Sequence, residues 1–525
     1  MKQKKGLSIV LFLLLCSVTT FSQTGKLPPN AKTGILPDST SLHLLKPQKS
    51  ITQGSVTVEG TRINYQAVAG TLILKSKDNK PTCSMFYVAY FKDGLSDESQ
   101  RPVTFIYNGG PGSSTVWLHF SGLGPQRVFL RDTTRFLAPY KIVNNDFSLL
   151  DATDLVFIDM PGTGFSRILT KEKGGAGDPK SFYSVDGDGH AFADFIQEFL
   201  STYNRWDSPK YLYGESYGTF RSAVVSNILE TEDNIDLNGV ILQSMLFSFN
   251  KSQMSQTHAG DILSYVLALP SEAAAAWVHN KIPNRPAEMA PFLDEVKHFA
   301  ITDYALALLQ GSLLDSTSFN RIAGKLHDYT GLPVSYIRKA NLRIGLIRFE
   351  KELLAGEEKI TGAYDATFTG PEMDPLSEYP GFEPTTTTVS SALISTFNNY
   401  MSKDLKFGKG MEYRFSNNNI FPQFDFRASY PGINWQSKFF VNVMGDMASA
   451  MIYNPKLKVM VNMGYYDLVT PYFEGEYEMQ HLDIPAQLQK NISYAYYNSG
   501  HMIYLHIPEL KKLHDNVAKF IASTH

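Results

Sequence analysis

Cysteine is almost absent from this chain: 2 in 525 residues, Cys16 and Cys83. Cys16 lies in an apolar N-terminal run, so a processed chain would keep Cys83 alone. That excludes an intrachain disulfide framework. Stability must come from a buried core, which a chain of this length can supply. An excess of one charge is also lacking. The 48 Lys+Arg and 51 Asp+Glu leave a net charge of −3, which indicates neither a nucleic-acid-binding surface nor a polyacidic tail. Beyond the N-terminus no apolar run is long enough to cross a membrane. The histidines are scattered and form no His-Glu-x-x-His, so a metalloprotease helix is excluded. Internal repeats are missing as well.

What is present reads as a soluble globular protein. Hydrophobic residues make up 43% and charged residues 19%. Aromatics, at 13%, suit an aromatic-lined cleft. At the N-terminus, Lys2, Lys4 and Lys5 precede an apolar run from Leu7 to Val18, with the small residues Thr20 and Ser22 behind it. This pattern predicts a secretory signal over residues 1–22 and a secreted or periplasmic protein. Lipidation at Cys16 is the weaker alternative, because Leu15 and not a small residue precedes it. Residues 23–52, rich in Pro, Ser, Thr and Lys, read as an extended arm.

The body of the chain divides by pattern. "SVTVEGTRINYQAVAGTLIL" and "CSMFYVAYF" alternate and are rich in β-branched and aromatic residues, which predicts antiparallel strands. "RPVTFIYNGG", "DLVFIDMPG", "KYLYGES" and "LNGVILQSM" are short apolar runs, each a buried strand. Phe192, Phe195, Ile196 and Phe199 sit at helical spacing between the second and third. Strands alternating with helices predict an α/β protein, with a mostly parallel central sheet and helices on both faces. Residues 250–440 read as a largely helical insertion. It separates a first core part, 53–249, from a second, 441–525.

Three features carry the chemistry: a serine turn, an acid/base pair and a glycine loop. The first is Gly214-Glu215-Ser216-Tyr217-Gly218, a G-x-S-x-G between a predicted strand and a predicted helix. Such a sharp turn needs small residues on both flanks and lifts the serine hydroxyl above the sheet. It also leaves the N–H of Tyr217 at a helix N-terminus, ready for a developing oxyanion. A serine needs a base, and the base an orienting carboxylate. Asp467 and His501 each follow a predicted strand, in the chain order this arrangement uses. His506 is the rival base, but it reads as the lead into the last helix. The third segment, Tyr107 to Thr115, follows the strand "VTFIY" and offers the N–H of Gly110 as a second oxyanion donor. Alone it reads as a plain Gly/Pro turn.

Together these segments resemble the serine carboxypeptidase family. The motifs are Asn108-Gly109-Gly110-Pro111-Gly112, "DMPGTGFS" from Asp159 to Ser166, Gly214 to Gly218, and Gly500-His501-Met502. The resemblance implies an α/β-hydrolase fold whose insertion is a cap, peptide substrates and no cofactor. It implies the removal of C-terminal residues through Ser216 as nucleophile, His501 as acid/base and Asp467 as orienter. Gly110 and Tyr217 would donate to the oxyanion. Asn108, Gly109 and Glu215 would hold the substrate's terminal carboxylate, which requires a proton on one of two touching carboxyls. Dimerisation, frequent in the family, is an accompanying expectation. The chain departs from the family pattern at Ile106, where a tryptophan is usual, at Ser113, usually a disulfide cysteine, and at Gly122, where a second glutamate is usual. An esterase, an acyltransferase or another exopeptidase would carry the same triad, and a non-catalytic binding protein could keep the fold. The acidic loop holding Asp365, Glu372, Asp374 and Glu378 lacks the spacing of a known calcium loop and reads as a solvated turn, so no metal is expected.

Overall fold

Alternation at the start of the core becomes an antiparallel meander. A computed structural model describes residues 43–249, 260–429, 431 and 441–524. All belong to one unit, Pro37–His525. The expected signal segment and most of the arm lie outside the described residues. Strand β1 (Lys49–Val58) pairs with β2 (Thr61–Lys75), and β2 with β3 (Pro81–Lys92), both antiparallel. The turn between the first two is Glu59-Gly60, both with positive φ, as a two-residue hairpin loop of this twist requires. β1 begins inside the segment read as an arm. It is an edge strand held by backbone pairing, and its outer residues stay partly exposed, so it carries no strong apolar signal.

Seven strands follow before residue 250, beginning with β4 (Val103–Tyr107), the small antiparallel ribbon β5 (Gln126–Val128) and β6 (Ile142–Asn144), and β7 (Asp154–Ile158). Next come β8 (Arg167–Ile168), β9 (Lys210–Glu215) and β10 (Gly239–Gln243). A second ribbon, β11 (Lys359–Thr361) and β12 (Thr369–Pro371), lies in the long stretch that follows β10. The second core part adds β13 (Lys458–Gly464) and β14 (Ile492–Tyr497). The main sheet runs β1-β2-β3-β7-β4-β9-β10-β13-β14, with β8 added to β3. Every pairing from β7 to β14 is parallel.

Every residue of β4, β7, β9 and β10 is buried, as strands covered on both faces must be. Alternate residues feed opposite cores. Val156 and Ile158 join the helices Val185–Thr202, Tyr217–Thr231 and Met444–Tyr453. Leu155 and Phe157 join Pro384–Asn399 and Ile507–Ser523 on the other face. Below the amino ends of the strands, Asp154 is buried between Arg101 and Arg205, each at 2.6 Å. Between β10 and β13 the chain is mainly helical, including Leu263–Val278, Met289–Phe299, Ser316–Thr330 and Pro384–Asn399. The carboxyl ends of β4, β9, β13 and β14 open on one edge of the sheet, the usual place for a ligand in such folds.

Candidate active site

Ser216 joins β9 to the helix Tyr217–Thr231 with φ 60° and ψ −131°, a conformation costly for a residue with a Cβ. Its N–H donates to the Gln243 carbonyl at 3.0 Å, which ties the turn to β10. The flanking glycines are sterically required. A Cβ on Gly214 would lie 2.2 Å from the Gly218 carbonyl oxygen, and one on Gly218 2.8 Å from that of Tyr107.

The glycine loop after β4 lies directly against this helix N-terminus. A Cβ on Gly109 would be 2.5 Å from Tyr217 N and 2.6 Å from Gly218 N. Gly110 has φ 106°, open only to glycine without strain. Two buried side chains hold the loop. Arg221 donates from Nη1 to the Asn108 carbonyl at 2.8 Å, while its Nε binds Asp188 at 2.7 Å. Asp159 accepts from Thr115 N at 2.8 Å and from the Tyr413 hydroxyl at 3.2 Å. Burial raises its pKa to about 6, against these hydrogen bonds. The "DMPGTGFS" motif thus begins with a residue that braces the glycine loop.

Across the cavity, His501 Nδ1 lies 2.8 Å from Asp467 Oδ2, and both side chains are buried. The Asp467 carboxylate is fully engaged. Oδ1 accepts from Val469 N at 2.8 Å and Thr470 N at 2.9 Å, and Oδ2 also accepts from the Thr470 hydroxyl at 2.7 Å. Burial alone would lower the His501 pKa. Asp467, Glu215 and Glu383 together outweigh it, and the imidazole is held above its ordinary value. The Ser244 hydroxyl donates to the His501 carbonyl at 2.7 Å. Ser216, His501, Asn108, Gly109, Gly110 and Glu215 all line one cavity of about 560 Å³.

Glu215 points into a ring of donors. Its Oε1 accepts from Asn108 Nδ2 at 2.6 Å and its Oε2 from Gln243 Nε2 at 2.8 Å. The partners of the two amides fix their orientation. Asn108 Oδ1 accepts from Leu118 N at 3.0 Å, and Gln243 Oε1 from the Tyr213 hydroxyl at 2.7 Å. Burial raises the Glu215 pKa to about 7, although His501, Tyr504 and Asn108 oppose it. Tyr504 also explains the residue at position 122. A Cβ on Gly122 would lie 2.9 Å from Tyr504 Cγ, so the tyrosine ring occupies the room a larger side chain would need. Its hydroxyl faces Glu215 and Asn108 without a partner inside ordinary hydrogen-bond distance.

Gln243, Thr470 and Tyr504 carry no motif of their own in the sequence. Gln243 ends an apolar strand beside the elbow strand, a placement that could have drawn attention to it. The other two sit three residues from Asp467 and His501. His506 does lead into the last helix, at its N-cap position. The acidic loop differs from the expected solvated turn. Asp365 is buried, Glu372 pairs with Lys351, Glu378 lies 3.2 Å from Arg348, and Asp374 caps its own turn through Leu376 N at 3.0 Å. These four carboxylates have separate partners and form no common site. Among the described residues, Glu59, His514 and Asp515 come together instead, with Lys511 already bound to Glu59 and Asp515.

Comparison with known proteins agrees with the motifs. A family model described as serine carboxypeptidase matches residues 60–269. "Serine carboxypeptidase-like 36" of Arabidopsis thaliana is 30% identical over 168 residues, 31% of this chain and 32% of that protein. "Pheromone-processing carboxypeptidase KEX1" of Candida tropicalis is 26% identical over 182 residues, 32% and 23% of the two chains. The matched stretch therefore spans a third or less of these relatives. The crystal structure of the prohormone-processing carboxypeptidase KEX1(delta)p from Saccharomyces cerevisiae superposes with a TM-score of 0.52 at 15% identity, over 87% of this chain and 91% of that one. The fold is that of an α/β hydrolase.

Proposed function

We propose that this chain, whose residues 60–269 carry serine carboxypeptidase family sequence, is a secreted or periplasmic serine carboxypeptidase. One observation carries the reading: Ser216, His501 and the Asn108–Glu215 pair all face a single cavity, with Asp467 buried behind His501 at 2.8 Å. Ser216 Oγ attacks the scissile carbonyl while His501 takes its proton. Asp467 holds Nδ1–H and stabilises the imidazolium. Charge growing on the carbonyl oxygen meets the N–H groups of Gly110 and Tyr217. His501 then protonates the leaving amine, and water hydrolyses the acyl-enzyme by the same route.

Glu215, with Asn108 and Gly109, would read the terminal carboxylate of the leaving residue. It can do so while protonated, since two touching carboxylates cannot both ionise. Residues 250–440 serve as the cap: Tyr364, Thr386, Asn417 and Phe421 line the cavity from that stretch. Among the described residues no helix is long and apolar enough to cross a membrane.

A second reading, as an esterase or acyltransferase, draws support from two features. Among the described residues no lysine or arginine lines the cavity, and Tyr504 fills the room beside Gly122. A blocked dipeptide and its C-terminal amide separate the readings. The carboxypeptidase reading requires faster cleavage of the free acid, and equal rates would reject it.

A further inference from the structure

The insertion reaches both loops of the acid/base pair through one short segment, residues 363–366. Ala363 O accepts from Leu468 N at 3.0 Å and Ala366 N donates to Tyr466 O at 3.0 Å, so the segment is tied on both sides of Asp467. Tyr364 O accepts from His501 N at 2.6 Å, and its ring meets the imidazole edge-on at 5.2 Å between centroids. Next to it, Asp365 is completely buried. Its Oδ2 accepts from Gly500 N at 2.8 Å and lies 2.9 Å from His506 Nε2. Its Oδ1 accepts from Thr367 N at 2.9 Å and from the Thr367 hydroxyl at 2.6 Å. The approach is so close that a Cβ on Gly500 would lie 2.2 Å from Tyr364 O and 2.5 Å from Asp365 Cα.

We propose that Asp365 is a positioning residue for His501: it fixes the backbone of the His501 loop through Gly500, braced by His506. The proposal rests on the Ser216–His501–Asp467 reading. Four donors meet two oxygens, which is the full accepting capacity of a carboxylate. An asparagine would keep one oxygen and turn its NH₂ toward donors, leaving a buried clash in place of a brace. The peptide N–H groups of Gly500 and His501 are both held by this segment, so the imidazole's approach to Ser216 depends on it. A base displaced by a fraction of an ångström loses much of its effect.

His506 adds a pH dependence. Burial opposes its charge, but Asp365, Asp132 (4.0 Å from Nδ1) and Glu509 face it and hold its pKa above the ordinary value. Below that raised value the ion pair with Asp365 is complete. As pH rises through it, the charge is lost and the brace weakens.

The test reads the nucleophile without any peptide: the rate at which a fluorophosphonate labels Ser216, measured per folded molecule across pH. Asp365→Asn is expected to label roughly tenfold more slowly than wild type, and on peptide substrates to lose kcat with KM little changed. His506→Gln keeps one N–H donor and should label at a rate closer to wild type, with the limb due to His506 gone from the pH profile. Labelling of Asp365→Asn at the wild-type rate would overturn the proposal. Should that variant fail to fold, His506→Gln decides, since an unchanged rate and profile there would overturn it equally. Failure of the wild type to label at Ser216 would instead reject the triad, and the proposal with it.

Discussion

The elbow and the His501 loop face each other across the cavity but are held by different means. Ser216 is held within the central sheet: by Gly214 and Gly218, by the strand that precedes them, and by its N–H on the Gln243 carbonyl at the end of β10. His501 is fixed by residues far away, with Tyr364 and Asp365 arriving from the stretch between β10 and β13 and Ser244 from just after β10. The geometry of Ser216 is therefore set by the central sheet, whereas that of His501 also depends on residues 363–366. Disturbance of the insertion should reach the base first and leave the elbow intact.

Substitutions can sharpen that contrast. Ser216→Ala should abolish turnover, by at least about 10⁴-fold, with an unchanged melting temperature, because the elbow accepts a smaller side chain. Activity in the purified variant would count against the nucleophile. Gly500→Ala should cost about 10²-fold in kcat, because its methyl would strike Tyr364 O and push the His501 loop from the insertion. Its circular dichroism should stay native. Gly214→Ala should differ in kind. Its clash with the Gly218 carbonyl lies inside the central sheet, so the denaturation midpoint should fall, by about 3 kcal/mol in stability. A Gly214→Ala protein as stable as wild type would show that the elbow is less constrained than its geometry indicates.

The smallest effect is expected at Glu215, and it is one of pH. His501 must be neutral to act as base, and its raised pKa moves the acidic limb of activity upward. Glu215 must be protonated to receive a carboxylate, and with a pKa of about 7 it loses that proton as pH rises through neutrality. Cleavage of free-acid substrates should therefore fall above about pH 7 through KM. In Glu215→Gln that upper limb should vanish, with weaker binding at low pH and a change of only a few-fold near neutrality. A profile identical to wild type would remove Glu215 from carboxylate recognition.

The same contrast explains what was legible in the sequence. Strands such as "VTFIY" and "DLVFI" were visible because burial on both faces leaves an uninterrupted apolar run. The elbow was visible because a sharp turn demands glycine at two fixed offsets, and Asp467 and His501 because each follows a strand in the expected order. β1 was partly missed because an edge strand draws on backbone pairing. Asp365 was read as a solvated turn because its neighbours Glu372, Asp374 and Glu378 lie in a polar loop. Its burial comes from Gly500 and His506, more than 130 positions away, and spacing does not encode that. Gly122 could be noted as a departure from the family pattern, yet the reason lies in Tyr504, which no local pattern ties to it.

The central claim is that Ser216 drives removal of residues from the C-terminus of peptides. A peptide library digested across pH and read by mass spectrometry tests it most directly. The account predicts stepwise loss of C-terminal residues, strongest near neutral pH, falling on either side of it, and absent in Ser216→Ala. Internal or N-terminal cleavage, or trimming that survives in Ser216→Ala, would contradict it.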